Sequence, residues 1–229
     1  IINGCKSLYD IDDMPHEDVR EKTLQIIADA GTDEEKAEAI YMFIRDSIKF
    51  GWVYPQDIPA DCVLANRKGV CMQKAKLLVE MVRVAGLEAR FRFMYVEKKA
   101  LEDFLPDFAY KKWVDPFPHT FPEIYLNDRW VSVEATIDKE LHDICIKNQI
   151  NFGKYKEILN EVSVDFSSNG VKGHQQFWEK EGYETFTGDD LSEFNEFLHE
   201  DVPKWKQKMQ PMIFRKADKI IDELRNQNN

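Results

Sequence analysis

Between Thr32 and Phe50 the apolar residues Ala37, Ile40, Tyr41, Ile44 and Ile48 recur at steps of three and four, the period of a helix burying one stripe. Its start is marked by T-D-E-E, in which the Thr32 hydroxyl can cap the helix while Glu35 reaches back to the cap. A shorter helical pattern precedes it from Glu17 to Ala30. The next stretch, GWVYPQDIPADCVLANRKG, holds two prolines among polar residues and predicts an irregular loop rather than a long helix or a central strand. That loop leads into a second strong helix beginning at Cys71. Here Ala75, Leu78, Val82 and Ala85 make an apolar face and Gly86 supplies a left-handed stop.

After Gly86 the pattern changes period. ARFRFMYV alternates and is rich in β-formers, which predicts a strand. Two further strands are expected around His119 to Tyr125 and Trp130 to Thr136, joined by a tight turn at Asn127-Asp128. With those two as the loop, paired positions sum to 255. His119 then stands opposite Thr136 and diagonal to both Glu134 and Asp138 on one face, about 7–8 Å away. Pro122 within the first of these strands implies an edge position or a bulge. From about Asn151 the texture turns acidic and aromatic, with helical spacing at Leu191, Phe194, Phe197 and Leu198 and again at Ile213, Ala217, Ile220, Ile221 and Leu224. The expected architecture is an α+β core over 1–150, with an antiparallel sheet packed on the Cys71 helix, and a helical C-terminal extension over 151–229 packed on that core.

Composition removes several alternatives. A chain of 229 residues with 43% hydrophobic residues can bury a sizeable core. Its 31 Lys and Arg against 42 Asp and Glu, a net charge of -11, argue against nucleic acid or an anionic membrane as partner. No apolar run approaches the roughly 20 residues of a membrane helix, so no membrane insertion is expected. Four cysteines without a CxxC pair disfavour a disulfide scaffold and a structural zinc site. Reduced thiols favour a cytoplasmic setting, while a start at Ile1 leaves room for an export signal already removed. Five scattered histidines show no HExxH, and no DxDxDG loop is present. Neither metal nor cofactor is expected.

The chemistry therefore rests on side chains. A cysteine at a helix N-terminus is poised as a nucleophile, because the macrodipole and free backbone N–H groups favour the thiolate and can hold an oxyanion. Gly69 just before it permits a tight turn. A lone cysteine in that position is more often a small buried hydrophobe, but the hairpin adds a histidine beside a carboxylate. That is the pair that orients an imidazole and stabilises its charged form. Cys71, His119 and Glu134 make a candidate triad, with Asp138 a rival acid.

These two blocks resemble the transglutaminase-like superfamily of papain-related cysteine enzymes. N-R-K-G-V-C-M-Q-K-A-K-L-L-V-E-M-V-R-V-A-G-L-E-A-R is similar to that family's nucleophile helix, with Gly69, Cys71, Ala75, Leu78, Arg83, Gly86, Ala89 and Arg90 in the expected places. H-T-F-P-E-I-Y-L-N-D-R-W-V-S-V-E-A-T is similar to its histidine and acid strands, with Trp130 and Thr136 also matching. The resemblance spans roughly residues 30 to 140. It implies Cys71 as nucleophile, His119 as general base and acid, and Glu134 as orienting acid. The family usually places Asp where this chain has Glu134, so the carboxylate stands one methylene further from its backbone. The zinc-binding CxxC pairs of deglycosylating relatives are missing.

The implied reaction is acyl transfer: thiolate attack on an amide carbonyl, departure of the amine protonated by His119, then capture of the thioester. The Cys71 N–H would join the oxyanion hole, with a side-chain donor from Trp52, Tyr54, Gln56 or Asn66. A peptidase or amidase acting on a peptide or protein substrate is favoured, since water needs no second binding site. A cross-linking transglutaminase and a catalytically inactive binding or assembly module are the alternatives.

Overall fold

In the computed structural model, which describes residues 14–150, 184–192 and 204–226, the predicted capping box at Thr32 is present in both directions. Thr32 Oγ1 accepts from the Glu35 N–H at 3.2 Å, and Glu35 Oε2 accepts from the Thr32 N–H at 3.1 Å. Helix α1 (Val19–Ile26) is capped by Asp18, and α2 (Asp33–Ser47) follows the box. Helix α2 ends before Phe50 because Ile48 turns extended and Lys49–Phe50 form a short strand, β1, pairing in parallel with β2 (Lys68–Gly69).

The stretch between them is not wholly irregular as expected. Ala60–Asn66 form a short helix, α3. Pro59 stands at its cap, outside the hydrogen-bonded turns, where a missing N–H costs nothing. Helix α4 (Cys71–Val84) then runs through the middle of the molecule, touching α1, α2 and α3 on one side and the sheet on the other. It buries not only the predicted apolar face but also Gln73 and Lys74. Gly86 ends it at φ +84°, as the sequence predicts.

Strand β3 (Ala89–Val96) covers the predicted segment. It pairs with β4 (Phe117–Leu126), which pairs with β5 (Arg129–Ser132). The hairpin has the predicted register, with Glu123 opposite Ser132 and Leu126 opposite Arg129. Asn127 and Asp128 both sit at positive φ, 52° and 61°, which two-residue hairpin turns of the favoured hand require.

A fourth strand, β6 (Thr185–Gly188), lies on the far side of β3, giving the order β5-β4-β3-β6. It adds one short strand to an extension read from the sequence as helical. Strand β4 is thus central, and the edge position expected from Pro122 is wrong. The Pro122 carbonyl accepts from the Val133 N–H at 2.9 Å, just past the last β5 residue. Its missing donor therefore falls where the β5 ladder stops, and no central bond is lost.

A 3₁₀ segment (Lys98–Phe104) and α5 (Asp107–Tyr110) connect β3 to β4. Helix α6 (Lys139–Lys147) follows β5. The last helix, α7 (Lys204–Asn226), inserts Ile213, Phe214, Ala217 and Ile221 into the same core as α2 and α4. Phe194, Phe197 and Leu198 of the predicted helical spacing lie outside the described residues. No described helix is long and apolar enough to cross a membrane.

Candidate active site

The parallel pairing of Phe50 with Gly69 brings the chain after β1 alongside the turn that enters α4, and the Gly51 N–H continues it to the Gly69 carbonyl at 3.3 Å. The Trp52 N–H then turns to Asp218 of α7, at 3.2 Å. At Gly69 a Cβ would come 3.0 Å from the Gln73 Cβ, so glycine lets the backbone pass over that side chain. Gln73 fixes the turn. Its Oε1 accepts from the Val70 N–H at 3.0 Å, and its Nε2 donates to the carbonyls of Gln56 and Pro55 at 3.0 and 3.3 Å. The sequence reading passed over Gln73, whose signal is the half capping box Val70-x-x-Gln73.

His119 comes from β4, which packs on α4. Its Nε2 lies 2.7 Å from Glu134 Oε2, both groups buried. Cys71 acts electrostatically on the same imidazole. Glu134 Oε1 accepts from the Thr136 N–H at 2.8 Å, and its carbonyl accepts from the Tyr41 hydroxyl at 3.3 Å. Because β5 stops at Ser132, the chain has left the ladder by Glu134, and the longer glutamate arm spans the gap. Burial alone would lower the His119 pKa, but the Glu134 charge and the Cys71 contact outweigh it and push it up to about 10. His119 and Glu134 thus form a buried pair within electrostatic reach of Cys71.

Asp138, the rival acid, is engaged elsewhere. It is fully buried, caps α6 through the Leu141 N–H, accepts from the Phe50 N–H at 2.8 Å and meets Arg225 of α7 at 2.6 Å. Of the candidate oxyanion donors, Trp52 is buried and its Nε1 has no hydrogen-bond partner among the described residues. The Tyr54 ring packs edge-on against Phe214, Gln56 Oε1 accepts from Gln210, and Asn66 Nδ2 closes α3 onto the Cys62 carbonyl. Lys74, one turn after Cys71, was not singled out by the sequence. It is buried with its Nζ unpartnered among the described residues. Burial depresses its pKa to about 7 against the opposing pull of Asp138 and Glu134. Among the described residues one cluster of metal-ligating type comes together, His16, Asp61 and Cys62. None of the three belongs to the triad.

The model of the transglutaminase-like superfamily matches residues 20–135. The chain belongs to the transglutaminase-like superfamily. The match takes in α1 through the end of the hairpin, including Cys71, His119 and Glu134. Membership supports a cysteine-based enzyme at the level of the family. No curated protein sequence matches. Among solved structures the chain is similar to a candidate cysteine protease from Cytophaga hutchinsonii, at 20% identity and a TM-score of 0.40, over 52% of this chain and 36% of that one. A candidate protease from Parabacteroides distasonis is similar at 13% identity and a TM-score of 0.38, over 56% of this chain and 25% of that one. This chain thus spans well under half the length of either.

Proposed function

We propose that this transglutaminase-like protein hydrolyses a peptide or amide bond through a Cys71, His119, Glu134 triad and a thioester intermediate. The observation that carries the reading is the buried His119–Glu134 pair, with Cys71 at the start of α4 acting electrostatically on the same imidazole. His119, held by Glu134, takes the Cys71 thiol proton as sulfur attacks. Sulfur attacks the carbonyl carbon, and the C–N bond breaks as His119 gives its proton to the leaving nitrogen. Water, deprotonated by the now neutral His119, then cleaves the thioester and restores the thiol. Glu134 remains ionised throughout and holds the ring in one tautomer and orientation.

The negative oxygen of the tetrahedral intermediate needs donors pre-aimed at it. The Cys71 N–H supplies one by its position at the helix start. Trp52 supplies the second: its buried Nε1, unpartnered among the described residues, supports that role over Tyr54 and Gln56, whose side chains are turned to α7. Hydrolysis is preferred to cross-linking because it asks for one acyl site and no groove for an acceptor amine.

The test is site-resolved alkylation by mass spectrometry. Cys71 should react with iodoacetamide at pH 6 far faster than Cys62 and Cys145, and His119→Ala should abolish the advantage. Turnover of peptide amides should then disappear in Cys71→Ala. Equal, slow alkylation of all thiols at pH 6 would defeat the proposal.

A further inference from the structure

Three ligating side chains from two distant segments meet on the outer side of α3. His16 Nδ1 lies 2.7 Å from Asp61 Oδ2, and Cys62 Sγ lies 3.5 Å from the same nitrogen. All three donor atoms fall within 4.8 Å of one another. We infer that His16, Asp61 and Cys62 form a binding site for a borderline divalent cation, Zn²⁺ in the first instance, separate from the Cys71 site.

The spacing fits. A tetrahedral zinc with bonds of about 2.3 Å to sulfur and about 2.05 Å to nitrogen holds those two ligands about 3.5 Å apart, the distance found between Cys62 Sγ and His16 Nδ1. The nitrogen and oxygen ligands of such an ion stand about 3.3 Å apart. The His16–Asp61 hydrogen bond at 2.7 Å therefore opens by about 0.6 Å as the ion replaces the shared proton. A thiolate, an imidazole and one carboxylate suit Zn²⁺ and exclude Mg²⁺ and Ca²⁺, which prefer all-oxygen shells. Three protein ligands leave a fourth position for water.

The site is also held in place. Asp61 uses its other oxygen, Oδ1, to accept from the Cys62 N–H at 2.8 Å, so Oδ2 is free to turn to a metal. The segment carrying His16 is fastened to α3 by the Glu17 N–H on the Asp61 carbonyl at 3.3 Å and by the Glu17–Arg67 ion pair at 2.6 Å. Cys62 forms a buried floor, while His16 and Asp61 remain partly exposed as the entrance. Glu80 of α4 lies within electrostatic reach of Asp61 and adds negative potential. A bound ion would clamp the start of the described chain to α3, which runs through Arg67 and β2 directly into Cys71.

Cobalt(II) reports the site, because a thiolate ligand gives it a charge-transfer band in the near ultraviolet. The titration uses the full chain carrying Cys71→Ala, so that the catalytic thiol cannot contribute. The expected result is a band saturating at one equivalent and removed by Zn²⁺. It should be lost in Cys62→Ser and weakened at least ~100-fold in affinity by His16→Gln, given that losing even an outer-shell partner costs 10–100-fold. His16 is half-exposed, so its replacement leaves the fold intact and decides the matter if Cys62→Ser misfolds. Absence of the band at one equivalent, or a band undiminished in His16→Gln, overturns the inference.

Discussion

Asp138→Asn tests whether the C-terminal helix is locked to the core beneath the active site. Asp138 is fully buried and satisfied four ways. Its Oδ2 takes Arg225 Nη2 at 2.6 Å and the Phe50 N–H at 2.8 Å. Its Oδ1 takes Arg225 Nη1 at 3.0 Å and the Leu141 N–H at 3.2 Å. Asparagine keeps the shape but removes the charge and turns an NH₂ toward groups that only donate. Breaking a buried ion pair costs about 3–5 kcal/mol. The lower end applies here, because Arg225 keeps Glu140 at 3.0 Å and the Phe50 carbonyl at 3.2 Å.

A loss of about 3 kcal/mol lowers the melting temperature by about 6–12 °C in a chain of this size. The assay is urea unfolding followed by tryptophan fluorescence, paired with a thermal melt. Burial pushes the Asp138 carboxyl up, but the Arg225 guanidinium and the Phe50 N–H outweigh it and hold it below the usual range. Its stabilisation is therefore present above about pH 4 and fades as the pH falls through the lowered value. The gap between parent and variant should narrow on acidification. A loss below about 1 kcal/mol at pH 7, or a gap that widens toward pH 3, refutes the reasoning.

Three more outcomes are expected. Lys74→Met should stabilise the protein by about 1–4 kcal/mol, as replacing a buried charge by a fitting apolar side chain does; with its pKa depressed to about 7, the cost of burying Lys74 is full below that pH and relieved toward its ordinary 10.5, so denaturant titrations should show a larger gain at pH 6 than at pH 9. Glu134→Gln removes the charge that raises His119, so ¹⁵N NMR should find the imidazole titrating near 10 in the parent and well below that in the variant; a parent value near 6.5 would contradict the buried pair. Gly86→Ala should cost about 1–2 kcal/mol in urea unfolding, entirely through its positive φ, since nothing lies within 4 Å of the added methyl.

Sequence alone determined the elements whose causes lie within a few residues. The Thr32–Glu35 box, the helix start at Cys71, the Gly86 stop, the span of β3 and the register about Asn127-Asp128 are each written in neighbouring side chains. The meeting of His119 with Glu134 was legible for the same reason, being 15 positions apart across one tight turn. Tertiary structure decided what depends on distant partners. It gave Asp138 to Arg225, 87 residues away, and so separated it from His119. It set β3 beside β4 on the side away from β5, which made β4 a central strand in spite of Pro122, and it added β6 beyond β3. It buried Lys74 without a partner among the described residues, and it brought His16 to Cys62 across 46 residues. Local hydrogen bonding and periodicity are encoded within a turn or two, whereas these pairings exist only once the core has closed and loop-closure entropy has been overcome.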